Sequence, residues 1–123
     1  SRDILPNHQC CVLYVSGKIL REQRDLAKRL IRIHLRAMEF ASEQAETAQQ
    51  IFANRTGKAL NVVQESWERM IWDYNLNVTS MKTFVNYLLE QGKINPADVP
   101  NVDDFVNASI DQTLLAEVGS SGL

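Results

Sequence analysis

Cysteine is nearly absent from this chain, and the two that occur, Cys10 and Cys11, are neighbours. Adjacent thiols cannot staple distant segments, and a bond between them needs a strained geometry. They read instead as small buried thiols in an apolar strand. Histidine is equally scarce: His8 and His34 stand alone, and with no second cysteine pair at ligand spacing they define no zinc site and no other metal site. No run of about 18 apolar residues occurs, so no helical membrane span is expected, and Ser1 to Pro6 lacks the apolar stretch of a signal peptide. The sequence also lacks a glycine-rich phosphate loop, a Gly-x-Ser-x-Gly elbow and a His-Glu-x-x-His pair. No catalytic residue, no cofactor and no enzyme class is indicated.

What is present suits one domain: 123 residues, 45% of them apolar, enough to bury about 65% of the unfolded surface. The net charge of −2 is split unevenly, with eight Lys/Arg against three acids in residues 1–36 and five against twelve thereafter. Arg21, Arg24, Lys28, Arg32 and Arg36 recur at three and four, which makes one stripe along a helix. With Glu22 and Asp25 interspersed and no aromatic side chains for base stacking, the stripe reads as a solvated face rather than a nucleic-acid surface.

Cys10 to Val15, Cys-Cys-Val-Leu-Tyr-Val, is the one run with strand character. A single strand cannot supply its own hydrogen-bond partners, so a strand at 10–16 implies a sheet supplied from elsewhere. Beyond Ser16-Gly17-Lys18 the apolar period shifts toward 3.6. Leu26, Leu30, Ile31, His34, Met38 and Ala41 predict one long helix over 20–42. A second helix is predicted over 43–55, with Ser42 as its cap and Gly57 at its end. Asn61 with Gln64 resembles a capping box opening a third, 61–70. Residues 71–77 read as an extended connector. A fourth helix, 79–91, is capped by Thr79 or Ser80 and stopped at Gly92, and after the proline-punctuated loop 94–100 a fifth spans 103–117. Residues 119–123 read as a flexible tail.

Ile4-Leu5-Pro6-x-His8-x-Cys10 with the following Val-Leu-Tyr-Val-Ser-Gly-Lys, then Leu30 to Ala37, Ser42 to Ala45 with Ala48 to Phe52, Val63 to Arg69, and Phe84 to Ile94 with Pro96 and Val99-Pro100, come in a specific order. That order resembles the C-terminal part of solute-binding proteins of ABC importers, in the nitrate/sulfonate/taurine group, over about residues 4–117. This chain departs from the group in Gln9 and Gln23, where proline is frequent, and in Ser42-Glu43-Gln44, where Asn-Pro-Glu is usual. The resemblance implies a mostly α segment with one short strand, cut from an α/β two-lobed, type II periplasmic-binding-protein fold, with residues 1–118 as the C-terminal fragment. It implies a small anion or organic solute (nitrate, bicarbonate, a sulfonate or taurine), a cognate permease as partner, and a periplasmic or membrane-anchored extracytoplasmic location for the full-length protein. The fragment alone is not expected to bind ligand.

His8, in the extended lead-in where a chain crossing between lobes passes the cleft mouth, is the candidate ligand-binding residue; a turn or hinge hydrogen bond is its structural alternative. His34 reads as a core or boundary histidine on the apolar stripe. Asp103 and Asp104, about 100° apart on a helix, favour the helix dipole rather than forming a catalytic pair. Trp67, Trp72 and Tyr74 read as packing residues more than as an aromatic wall for a ligand. The sequons at Asn54, Asn77 and Asn107 fit chance occurrence. A second functional expectation stands beside transport: a freestanding helical protein-interaction domain that self-associates through its strand.

Overall fold

A computed structural model of the chain describes residues 6–120. Seven helices follow in order: α1 (Gly17–Glu22), α2 (Arg24–Glu43), α3 (Ala45–Thr56), α4 (Leu60–Trp67), α5 (Val78–Glu90), α6 (Val102–Ser109) and α7 (Thr113–Ser120). The chain is mostly α, and among the described residues there is no strand.

The 20-residue helix α2, about 30 Å long, is the spine. Helices α1, α3 and α7 pack on it, α4 packs on α3, and α5 and α6 pack on each other. Small residues set these contacts: Ala27, Leu35 and Ala41 of α2 are buried, with Ala48 and Ala53 of α3, Val63 of α4, Val99 of the 94–100 loop, Val106 of α6, and Leu114 and Val118 of α7. Two glycines end helices in the left-handed conformation that costs other residues most. Gly57 (φ 69°) donates to the Ala53 carbonyl, and Gly92 (φ 62°) sits between hydrogen bonds from Gly92 N to Leu89 O and from Lys93 N to Leu88 O. Both patterns satisfy carbonyls that the last helical turn leaves open.

Several expectations are corrected here. The strand expected at 10–16 is a segment without regular secondary structure, because the described residues supply no second strand to bond it. Its thiols, expected buried, are exposed, as are Val12, Leu13 and Tyr14. The helix expected over 20–42 is two helices broken at Gln23 (φ −135°, ψ 48°), and the first begins at Gly17, capped by Ser16, whose hydroxyl accepts from Ile19 N. Gln44, with a similar break (φ −118°, ψ 48°), takes the joint assigned to Ser42. Helix α4 starts at Leu60 behind Ala59 without a side-chain cap, which leaves Asn61 inside the helix.

The single helix expected at 103–117 is α6 and α7, separated at residues 110–112. The cause is local competition for backbone donors. Ile110 turns to β geometry (φ −113°, ψ 129°), and the Asp111 carboxylate accepts from Thr113 N at 2.9 Å and from its hydroxyl, starting a new helix. That helix runs to Ser120, into the span expected as tail; residues 121–123 lie outside the described residues, as do Ile4 and Leu5 of the lead-in.

Leu114 is 2% exposed between α7 and its neighbours. Leu114→Ala should destabilise by about 3 kcal/mol, whereas Ile33→Ala, at a side chain 64% exposed, should change stability by no more than about 0.5 kcal/mol. Urea unfolding of both variants checks the contrast.

Candidate functional site

The lead-in is anchored by polar groups at the start of α5. Asn77 caps that helix, its side-chain oxygen accepting from Ser80 N at 2.9 Å, and its amide donates to the Asn7 carbonyl at 2.9 Å. Gln9 answers from the other side. Its backbone N–H donates to Ser80 Oγ at 2.8 Å, its side-chain oxygen accepts from Asn77 N at 2.9 Å, and its side-chain nitrogen donates to the Cys11 carbonyl at 2.7 Å. Asn7 adopts a left-handed backbone (φ 57°), which asparagine tolerates better than most residues. Proline at position 9 could make none of the Gln9 bonds, so the departure from the resembled pattern has a structural consequence: it ties residues 7–11 to α5 across about 70 positions of sequence.

Beyond Gln9 the segment forms one wall of a groove of about 230 Å³. Cys10, Cys11 and Val12 face Met81, Phe84 and Val85 of α5, with Phe105 and Val106 of α6 closing it. The Cys11 thiol donates to the Cys10 sulfur at 3.7 Å. That contact, with the neighbouring charge of Cys11, raises the Cys10 pKa above its ordinary value.

A second cavity, about 450 Å³, lies between α2, the connector and α7, lined by Leu35, Met38, Glu39, Glu43, Trp72 and Tyr74 among others. Aromatic packing shapes it. The Trp67 ring meets Phe52 edge-on at 6.3 Å and Trp72 at 5.0 Å, and its indole N–H donates to the Ala41 carbonyl at 3.2 Å, near the end of α2. Trp67 and Trp72 are half-buried, whereas Tyr74 is exposed. The connector turns at Asp73, whose carboxylate accepts from both the backbone and the side-chain nitrogen of Asn75 at 2.8 Å.

The basic stripe finds an acidic partner within the chain. Glu117 of α7 bonds Arg24 at 2.6 Å and Lys28 at 2.7 Å. These two contacts hold the Glu117 carboxyl below its ordinary pKa, and the Glu117 carboxylate in turn raises that of Arg24. Asp111 is lowered chiefly by its hydrogen bonds from Thr113. A second clasp joins Lys82 of α5 to Asp103 of α6 at 2.8 Å.

His8 is half-buried between Asn7 and Gln9, inside the anchored stretch, and borders neither cavity. His34 is exposed, contrary to the core or boundary position expected from the stripe; Leu35 beside it takes the buried position. Asp103 and Asp104 occupy the first turn of α6, where Asn101 caps by accepting from Asp104 N at 3.0 Å. Among the described residues no cluster of three or more His, Cys, Asp or Glu side chains is placed to hold a metal ion, and no helix is long and apolar enough to cross a membrane. In the sequence Gln9 stood out only as a departure from the resembled pattern and Asn77 only as a sequon; the cap expected at Thr79 or Ser80 is Asn77, a residue type favoured at that position. Comparison with family models, with curated proteins and with solved structures finds no match to this chain.

Asn77→Ala should cost about 1 to 2 kcal/mol, through the lost cap and the bond to Asn7. Asn77→Asp, which keeps the cap acceptor but not the amide donor, should recover about half of that loss in urea unfolding. A second expectation concerns acid. Because the folded Glu117 pKa is depressed, its stabilising contribution is complete above the ordinary value of 4.5 and fades as pH falls through the lower folded value. Protection of the α7 amides, taken relative to the intrinsic exchange rate at each pH, should therefore weaken as the pH drops below 4.5, and Glu117→Gln should show weaker protection already at neutral pH with a flatter acid response.

Proposed function

We propose that this chain is a helical protein-interaction module whose apolar faces are completed by further protein. One observation carries the reading: its accessible surface is 9253 Å², against roughly 6,700 Å² expected for a folded monomer of 14 kDa. The excess, roughly 2,500 Å², is larger than the roughly 800 Å² that each partner contributes to a standard interface. Its apolar part is grouped. Phe84 and Tyr87 stack on α5, with ring centres 6.4 Å apart, and Phe105 of α6 is exposed on the helix packed against α5. Ile51, Phe52 and Val62 are exposed on α3 and α4, which also pack together. Tyr14, 84% exposed in the lead-in, adds a large side chain at a segment with strand character. A second copy pairing through residues 10–15 is one such completion.

The ordered motif pattern favours a second reading: the C-terminal portion of the solute-binding component of an ABC importer. The covering protein is then the rest of the same polypeptide, including the sheets of an α/β two-lobed fold. His8 marks the crossing between lobes, the solute is an oxyanion or small organic molecule, the partner is a membrane permease, and the location is extracytoplasmic. Both readings assign association rather than catalysis.

Sedimentation velocity at micromolar concentration, with binding of an apolar fluorescent dye, tests the module. Self-association or strong dye binding is expected, and Phe84→Glu with Tyr87→Glu should reduce either. A compact monomer that binds no dye would overturn it. Thermal shift of a full-length protein with nitrate, bicarbonate, sulfonates and taurine tests the transport reading, which predicts stabilisation by one of them.

A further inference from the structure

Consecutive side chains of a regular strand point to opposite faces, so neighbouring cysteines in a strand hold their sulfurs apart. Cys10 and Cys11 depart from this geometry: their sulfurs converge to 3.7 Å while both residues stay exposed and unbridged. They also form part of the wall of the 230 Å³ groove whose other side is Met81, Phe84, Val85 and Phe105. Two soft donors thus point together beside an apolar recess.

The ligand class follows by coordination. A disulfide would need the sulfurs at about 2.05 Å with a torsion that adjacent residues reach only under strain. Structural zinc takes four ligands, and among the described residues no third His, Cys, Asp or Glu completes a cluster here. A soft centre that uses two thiolates and brings its own third substituent meets the geometry. We infer that Cys10, Cys11 and the groove form a dithiol site for a trivalent thiophilic centre carrying an apolar group, the chemistry of an organoarsenic(III) species.

The step is a condensation without redox change. Two As–O bonds of the R–As(OH)2 form break, two As–S bonds form, and each hydroxyl leaves as water with one thiol proton. The apolar group R enters the groove against Phe84 and Phe105. The backbone can follow the closing sulfurs, because among the described residues no hydrogen bond holds the N–H groups of residues 10–15. Gln9 meanwhile fixes the start of the segment to α5.

Titration with phenylarsine oxide, read by intact mass and competition, tests the site. One adduct per chain is expected, with the mass of one phenylarsenic less two hydrogens, stable to excess glutathione and reversed by ethanedithiol. Cys10→Ser and Cys11→Ser should each lose that stability. Phe84→Ala, at a side chain 52% exposed, should fold normally by circular dichroism and lower the preference for the phenyl compound over arsenite about five-fold. Two adducts per chain, an adduct stripped by glutathione, or an unchanged preference in Phe84→Ala would each overturn the inference.

Discussion

Burial of mostly small side chains between helices is the constraint on which the rest of this structure depends. Ala27 and Ala41 along α2, with Ala48 and Ala53 on α3, are buried, and Leu35 is the one larger side chain covered on α2. An alanine contact buries little apolar area, and each Å² removed from water is worth only about 25 cal/mol. Buried helix contacts therefore coexist with a shallow core. The large side chains that would deepen it, among them Phe52, Phe84, Tyr87 and Phe105, lie at the surface. That imbalance shapes the surface: an apolar groove opens beside α5 and α6, and large apolar side chains lie exposed on α3, α4, α5 and α6.

Polar contacts then do work that the core does not. Arg24 and Lys28 meet Glu117, Lys82 meets Asp103, and Gln9 and Asn77 interlock. Exposed ion pairs of this kind are individually weak, so their role is geometric. They choose where α7 lies along α2 and where the lead-in crosses α5. The groove beside Cys10 and Cys11 exists because the second of these choices holds residues 7–11 against the helix. Its chemistry is inherited from a hydrogen-bond arrangement, not from packing pressure.

The helical character was legible because Leu26, Leu30, His34 and Met38, and likewise Met81, Val85 and Leu88, repeat at helical spacing. Gly57 and Gly92 were legible as stops because positive φ favours glycine. The joints were not. Gln23 and Gln44 carry no breaking signal of their own, and the break at 110–112 is imposed by Asp111 capturing the Thr113 N–H. The pattern Cys-Cys-Val-Leu-Tyr-Val reports strand propensity but not the presence of a partner strand, and among the described residues none meets it. His34 misled for a related reason: a stripe of spacing three and four has an edge, and one residue around the helix, Leu35, is what the neighbours cover. For the candidate groove, sequence exposed the thiol pair but not the α5 and α6 side chains opposite, which come from residues roughly 70 to 95 positions away.

The span of the Arg24–Glu117 and Gln9–Ser80 contacts, 93 and 71 positions, has a consequence for how the chain reaches this state. Pairs such as α3 with α4 and α5 with α6 join neighbours along the chain and require only short loops to close. Docking α7 on α2 and the lead-in on α5 requires closing most of the chain, at an entropic cost that local contacts do not meet. Helix pairs should thus assemble early and the two long-range closures late, so the thiol-bearing groove is among the last features to be completed as the protein folds.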